Sequence, residues 1–364
     1  MISPQAPICS LSHCGLEKLR WTGGKAARLG ELIRAGFPVN PGFVLTTPAY
    51  SSSLEAGPRR EIERLLTLLD PEDWEAVRAT SRHIRRLIEE TPIAEEIRHA
   101  VAAAYEALGR IAGTGEPAVA VRSSATAECL AENSFAGQQE TFLWVRGIEN
   151  ILDSARRCWS SLFTPQAILY RRAIAFPTEA ALMAVAFQVM VDARSAGVLF
   201  TLNPSNGDCS KIVMEGNWGL GESVVSGEVD PDRIMVDKIT LQTLSTSIAL
   251  KTREDRFDPA LNRVIRAEVP VERRSAACLE NEEVAALAAL AKRVERHFSV
   301  PLDIEWAIER HAPFPENIRL LQSRPETAWR KRPRPIRAPA ENAVGHVMRE
   351  LAGGGGRAPA ASHD

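Results

Sequence analysis

Several large function classes are missing from this sequence. Its 44 lysines and arginines are balanced by 46 aspartates and glutamates, a net charge of −2, so the body of the chain has no basic footprint for a nucleic acid. No run reaches the roughly 20 apolar residues of a membrane span, and the opening MISPQAPICS lacks the basic and long apolar regions of a signal peptide. A cytoplasmic location is the expectation. Six scattered cysteines form no disulfide framework, which fits a reducing compartment. Cys9, His13 and Cys14 lie close enough together to suggest zinc, but a fourth ligand at metal-site spacing is missing. There is also no Walker or GxGxxG string.

What remains is long enough for two lobes: 364 residues, 45% hydrophobic and 25% charged. The most informative stretch is VAVRSSATAECLAENSFAGQQET, Val119 to Thr141. Ala118 to Val121 reads as a short buried strand that delivers Arg122, Ser123, Ser124 and Thr126 into a loop, with Gly137 beyond. A guanidinium fork, hydroxyls and a glycine that exposes backbone N–H groups suit phosphate; a solvated turn with Arg122 paired to a carboxylate is the plainer alternative. Thr141 to Val145 then reads as a strand. Ile148, Ile151, Leu152, Ala155, Trp159 and Leu162 mark a helix face that closes the first lobe.

Upstream, Gly23-Gly24-Lys25 precedes a helical pattern through Leu29, Leu32 and Ile33 that ends at Gly36-Phe37-Pro38. Lys25 is thus expected in a first helical turn, where free N–H groups and a mobile charge suit a polyphosphate, unless it is an ordinary surface lysine. Residues 59–109 read as mostly helical. Thr91-Pro92 is expected to cap a helix with apolar face Ile93, Ile97, Val101, Tyr105 and Leu108, ending at Gly109. Met183, Val185, Phe187, Val189 and Val191 alternate with Ala184, Ala186, Gln188 and Met190, so Gln188 faces away from the bulky set. Gly219, Gly221 and Gly227 imply tight turns or close backbone approach. Asn281 is a candidate cap for a helix with Val284, Leu287, Ala291, Val294 and Phe298 on one face. Leu302 to Ile308 and Ile318 to Gln322 read as a hairpin that sets Glu305 and Gln322 on one face. A carboxylate and an amide carbonyl are hard ligands suited to magnesium, and a salt-bridged strand residue is the alternative for Glu305.

The strings RSSATAE, SFAGQQET, GGKAARLGEL with GFPV, GNWGLGESVVSGEVDPDR, DIEWAI and LLQSRP together resemble the nucleotide-binding domain of the phosphoenolpyruvate synthase, pyruvate phosphate dikinase and rifampin phosphotransferase family, over residues 15–327. Cys129 and Ala131 depart from the acidic residue and proline usual in that family. The resemblance implies an α/β (α+β) two-lobed ATP-grasp fold, with lobes 1–185 and 186–328, nucleotide between them, and a flexible Pro- and Gly-rich tail, 329–364. It implies ATP and Mg²⁺ as cofactors. Lys25, Arg122 and Arg324 would act on the phosphates; Gly137, Thr141 and Gln188 would contact the nucleotide; Glu305 and Gln322 would hold the metal.

No histidine here has the family's Thr-Gly-Gly…His setting. The expectation is therefore a MgATP-binding subunit of a split phosphotransferase that primes a histidine on a partner subunit, giving AMP and phosphate. Phenylphosphate synthase, which passes the group to phenol, is the arrangement it most resembles. The alternatives are a phosphoenolpyruvate synthase-like or antibiotic phosphotransferase subunit, or an ATP-sensing paralogue without turnover. Neither nucleic acid nor membrane is an expected partner.

Overall fold

Alternation of bulky and small residues along the strands builds two antiparallel sheets with different faces. The computed structural model describes residues 6–55, 57–126, 140–327 and 329. The first sheet contains β1 (Ile8–Ser10), β2 (Gly42–Leu45), β3 (Val119–Ala125), β4 (Thr141–Val145) and β5 (Met183–Val189), in the order β1-β2-β5-β3-β4. The second begins with β6 (Ala193–Phe200), β7 (Lys211–Trp218), β8 (Asp232–Asp237) and β9 (Thr243–Ser247). A separate ribbon follows, β10 (Arg253–Asp258) with β11 (Arg263–Glu268). The chain then returns to the second sheet with β12 (Leu302–Glu309) and β13 (Ile318–Pro325), giving the order β13-β12-β6-β7-β8-β9.

Helices cover the outer faces. α1 spans Leu19–Arg34, α2 Thr47–Glu55, α3 Pro58–Leu68, α4 Trp74–Glu90, α5 Glu95–Ala112, α6 Ile148–Ser160, α7 Pro165–Ala173, α8 Glu222–Val225 and α9 Asn281–Phe298. Val121, Val185, Phe187 and Met183 pack into one core with Ile84, Val101, Ile151 and Trp159 from the helices. The opposite face of β5, through Ala184 and Ala186, packs with Ala26 and Leu29 of α1. Leu32 of the same helix belongs to the second sheet's core, with Leu199, Ile304, Trp306 and the α9 residues Leu287 and Val294. α1 therefore touches both sheets, and the Leu320 N–H of edge strand β13 is bonded to the Pro38 carbonyl just past it, at 2.8 Å. Met1–Glu326 form one compact unit; Thr327–Asp364 form another, of which Thr327 and Trp329 are described. Among the described residues no helix is long and apolar enough to cross a membrane.

Local signals differ from the sequence expectations in instructive places. The division expected at 185/186 falls within β5, and the change of sheet comes after Val189, so a two-lobe proposal has to draw its line at 190–192. β3 does not stop at Val121: its pairing with β5 runs on to Ala125 opposite Met183, so Arg122, Ser123 and Ser124 are strand residues and not loop. Thr91 closes α4, its hydroxyl bonded to the Leu87 carbonyl, and α5 starts only at Glu95 and runs past Gly109 to Gly113 at φ 68°. α9 is capped one residue earlier than expected, by Glu280, in a reciprocal capping box with Glu283.

β4 carries a bulge. Val119 faces Val145 and Val121 faces Phe142, so two residues, Leu143 and Trp144, answer the single Ala120. Trp144 sits at φ 58°, a left-handed backbone that costs a non-glycine residue roughly 1–3 kcal/mol. Its ring stacks on Phe257 of the ribbon at 4.1 Å between centroids; a contact worth about 0.5–1.5 kcal/mol beyond burial offsets part of that cost.

Candidate functional site

The site starts from an interruption in α1. Gly23 lies at φ 70°, ψ 173° inside the helix, so Thr22 loses its carbonyl partner and the next turn begins with free N–H groups. Ser124 of β3 supplies both needs with one hydroxyl, donating to the Thr22 carbonyl at 2.8 Å and accepting from the Ala26 N–H at 3.1 Å. A Cβ on Gly23 would lie 1.9 Å from the Ser124 carbonyl oxygen, so glycine is required here by conformation and by space. Lys25 is half-buried in the first turn after this break, the setting expected of it, although the helix as a whole starts at Leu19.

Two residues before Ser124, Arg122 points across to the second sheet. Its side chain shares a face with Ser124, opposite the core residues Val121 and Ala125, and it is 8% exposed. Its Nη1 donates to the Leu321 carbonyl at 2.8 Å and stands 3.4 Å from Glu305 Oε2. Leu321 is available because of a second bulge: Glu305 pairs with Gln322 but Trp306 pairs with Leu320, which leaves Leu321 outside the ladder. Glu305 and Gln322 are thus direct cross-strand partners, as the hairpin pattern led us to expect. Among the described residues the buried Nε of Arg122 has no acceptor.

Arg324 lies two residues along β13 from Gln322, opposite Asp303. Its Nε and Nη2 both reach Asp303 Oδ2 at 2.7 Å. Burial pushes the Asp303 carboxyl above its ordinary range, and the Arg324 charge pulls it back; the pair fixes the direction of a guanidinium that is 47% exposed. Thr141 is the partner of Arg122 across β3 and β4. Gln188 is 3% exposed and shares the Ala184–Ala186 face, with its amide nitrogen bonded to the Asn40 carbonyl at 3.3 Å. Gly137 lies outside the described residues, as does the tail apart from Trp329.

The structure therefore joins Arg122, Glu305 and Gln322 directly, sets Arg324 and Thr141 beside them, and brings the restart of α1 at Lys25 against the same strand. Sequence reasoning gave no role to Asp303, although its place two residues before Glu305 in an alternating strand was a usable signal. It also missed an apolar cluster between the sheets, Leu143, Met190, Ala196, Leu220, Ala307 and Leu321. Two bulges bring part of this cluster together, and no periodicity marks them.

The family model for the pyruvate phosphate dikinase AMP/ATP-binding domain matches residues 20–343. The chain is 43% identical to a phosphoenolpyruvate synthase of Aeropyrum pernix, over 93% of this chain and 44% of that protein. It is 33% identical to one of Pyrococcus furiosus, over 85% and 42%, and 39% identical to a rifampicin phosphotransferase of a Streptomyces species, over 88% and 36%. The chain spans less than half the length of these relatives. Nothing in these matches points specifically to phenylphosphate synthase.

Proposed function

The chain belongs to the pyruvate phosphate dikinase AMP/ATP-binding domain family, and on that premise we propose that it binds MgATP between its two sheets and primes a histidine lying outside these 364 residues. The junction of Arg122 with Glu305 and the Gln322 strand carries this reading, because it joins the two sheets through a guanidinium whose Nε has no acceptor among the described residues. Phosphate fits that Nε. Magnesium fits a carboxylate and an amide carbonyl on one face, with water and phosphate oxygens completing its shell; among the described residues no cluster of three or more His, Cys, Asp or Glu offers a fuller cage.

Bound magnesium would supply charge neutralisation on the polyphosphate. Arg122 would hold the phosphates against β3, Lys25 would add a charge at the helix restart, and Arg324, aimed by Asp303, would face the transferring group. Thr141 and Gly137 would line the phosphate end. The apolar cluster around Leu143, Met190 and Leu220, next to Gln188, would take the purine. Transfer of the β-phosphoryl group to a histidine would break its bond to the α-phosphate and release AMP, and water would cleave the β–γ bond to give inorganic phosphate.

For the final acceptor, the relatives' names favour phosphoenolpyruvate synthase-like or antibiotic phosphotransferase chemistry. Phenol is the finer reading suggested by the sequence, and it has no support from these relatives.

The binding half is tested by calorimetry. Replacing Lys25, Arg122 or Arg324 by Ala removes a charge-assisted contact worth about 1.5–3 kcal/mol and should weaken MgATP roughly tenfold or more. Unchanged affinity in all three variants would sink the assignment.

A further inference from the structure

Beside the cleft, the outer edge of β4 bounds a second cavity. About 420 Å³ lies between this strand, α6 and the β10–β11 turn, and the cavity is lined by the guanidinium groups of Arg146, Arg157 and Arg263 together with Phe142. Many arginines on this molecule's helices are paired with carboxylates, as in Arg64–Glu61 and Arg110–Glu106. These three are not: among the described residues none of them is within 4.0 Å of a carboxylate oxygen, and two rest on aromatic rings instead. Arg157 lies 4.2 Å from the Phe142 ring centre, and Arg146 lies about 6 Å from the stacked rings of Trp144 and Phe257.

The two carboxylates in the lining do little to cancel this charge. Asp153 is already paired with Arg156 at 3.6 Å. Glu222 is disfavoured as an anion by burial and by Asp255 and Glu228. Three forked cations, two of them held by ring faces, around a cavity of ligand size match phosphate oxygens. The strained Trp144 that forms part of the wall is a second mark of a site, since such backbone persists where the surroundings over-determine it.

We propose that this cavity, which adjoins the nucleotide site through Thr141 and Leu143, is a second ligand site centred on Arg157 and Arg263 and selective for a small phosphate-bearing molecule. The inference does not rest on the nucleotide reading. A ligand there would tie α6, β4 and the ribbon together. It would also touch the strand whose first residue, Thr141, pairs with Arg122.

The test titrates inorganic phosphate into the full chain, first alone and then after saturation with a non-hydrolysable magnesium ATP analogue. Phosphate should still bind with the analogue present. With the analogue bound, the double variant Arg157→Ala, Arg263→Ala should weaken phosphate binding at least tenfold, and Arg60→Ala, at an exposed arginine of α3, should leave it within twofold. All the substituted residues of the double variant are exposed, and a thermal melt checks that it remains folded. Three results would each overturn the proposal: equal phosphate binding in the double variant, an equal loss in Arg60→Ala, or no phosphate binding to the wild-type chain with the analogue bound.

Discussion

A guanidinium that is 8% exposed, with its Nε–H unanswered among the described residues, is expensive to keep. Leaving a buried donor unsatisfied costs about 1–3 kcal/mol, and neither the Leu321 carbonyl nor Glu305 recovers it at Nε. A structural role alone would be served by an apolar side chain in this position; an incoming acceptor explains the retained cost. The same reasoning separates Glu305 from Gln322, since of the two only Glu305 would bring a negative charge to a bound metal. Glu305→Gln keeps the shape and removes that charge, so the magnesium concentration needed for half-maximal ATP binding should rise about tenfold while affinity at saturating magnesium moves less. Calorimetry across a magnesium series reads this directly, and an unchanged midpoint would make Glu305 only the counter-charge of Arg122. Both residues were legible in the sequence because strand alternation sets faces. Leu321 and Asp303 were less so: a bulge shifts register without leaving a mark on hydrophobic period, and an acidic residue on a strand looks the same whether it aims an arginine or meets water.

The break in α1 is where one element determines the position of others. The helical pattern showed where Lys25 sits, and the glycine pair suggested a turn. That the turn lies inside a longer helix depends on Ser124, a residue 102 positions away from Thr22, and no local window contains both. Cap positions were misread for a related reason. Thr91-Pro92 has the composition of a helix start, yet the Thr91 side chain is taken by the preceding turn at Leu87. Gly23 and Gly36 offer a matched experiment, because both have positive φ, 70° and 74°, and only Gly23 has backbone within 4 Å of the missing Cβ. Alanine at either site should cost about 1–3 kcal/mol for the backbone. Gly23→Ala should cost clearly more, since the Ser124 carbonyl must move, and it should weaken MgATP as well. Urea denaturation and calorimetry on the two variants would show this; equal losses in both would mean that the contact with β3 is unimportant.

At the scale of the whole molecule the question is where the phosphoryl group goes. Of the described histidines, His99 pairs with Glu95, His297 with Glu31 and His311 with Asp192, all away from the Arg122 junction. His13 and His83 are exposed on the surface, while His346 and His363 lie outside the described residues and have no glycine-loop motif around them in the sequence. If positioning and charge neutralisation are this chain's part of the chemistry, it should bind MgATP and by itself phosphorylate nothing. Adding a histidine-bearing partner or domain should release AMP and inorganic phosphate, as label from the β-phosphate of ATP moves onto that histidine. Supplying pyruvate, rifampicin or phenol in separate reactions then identifies the acceptor. Two results would refute the division of labour: a labelled acceptor formed by this chain alone, or ADP as the nucleotide product of the complete mixture. If instead labelled histidine forms but none of the three acceptors takes the group, the nucleotide half of the reading stands and the acceptor half fails.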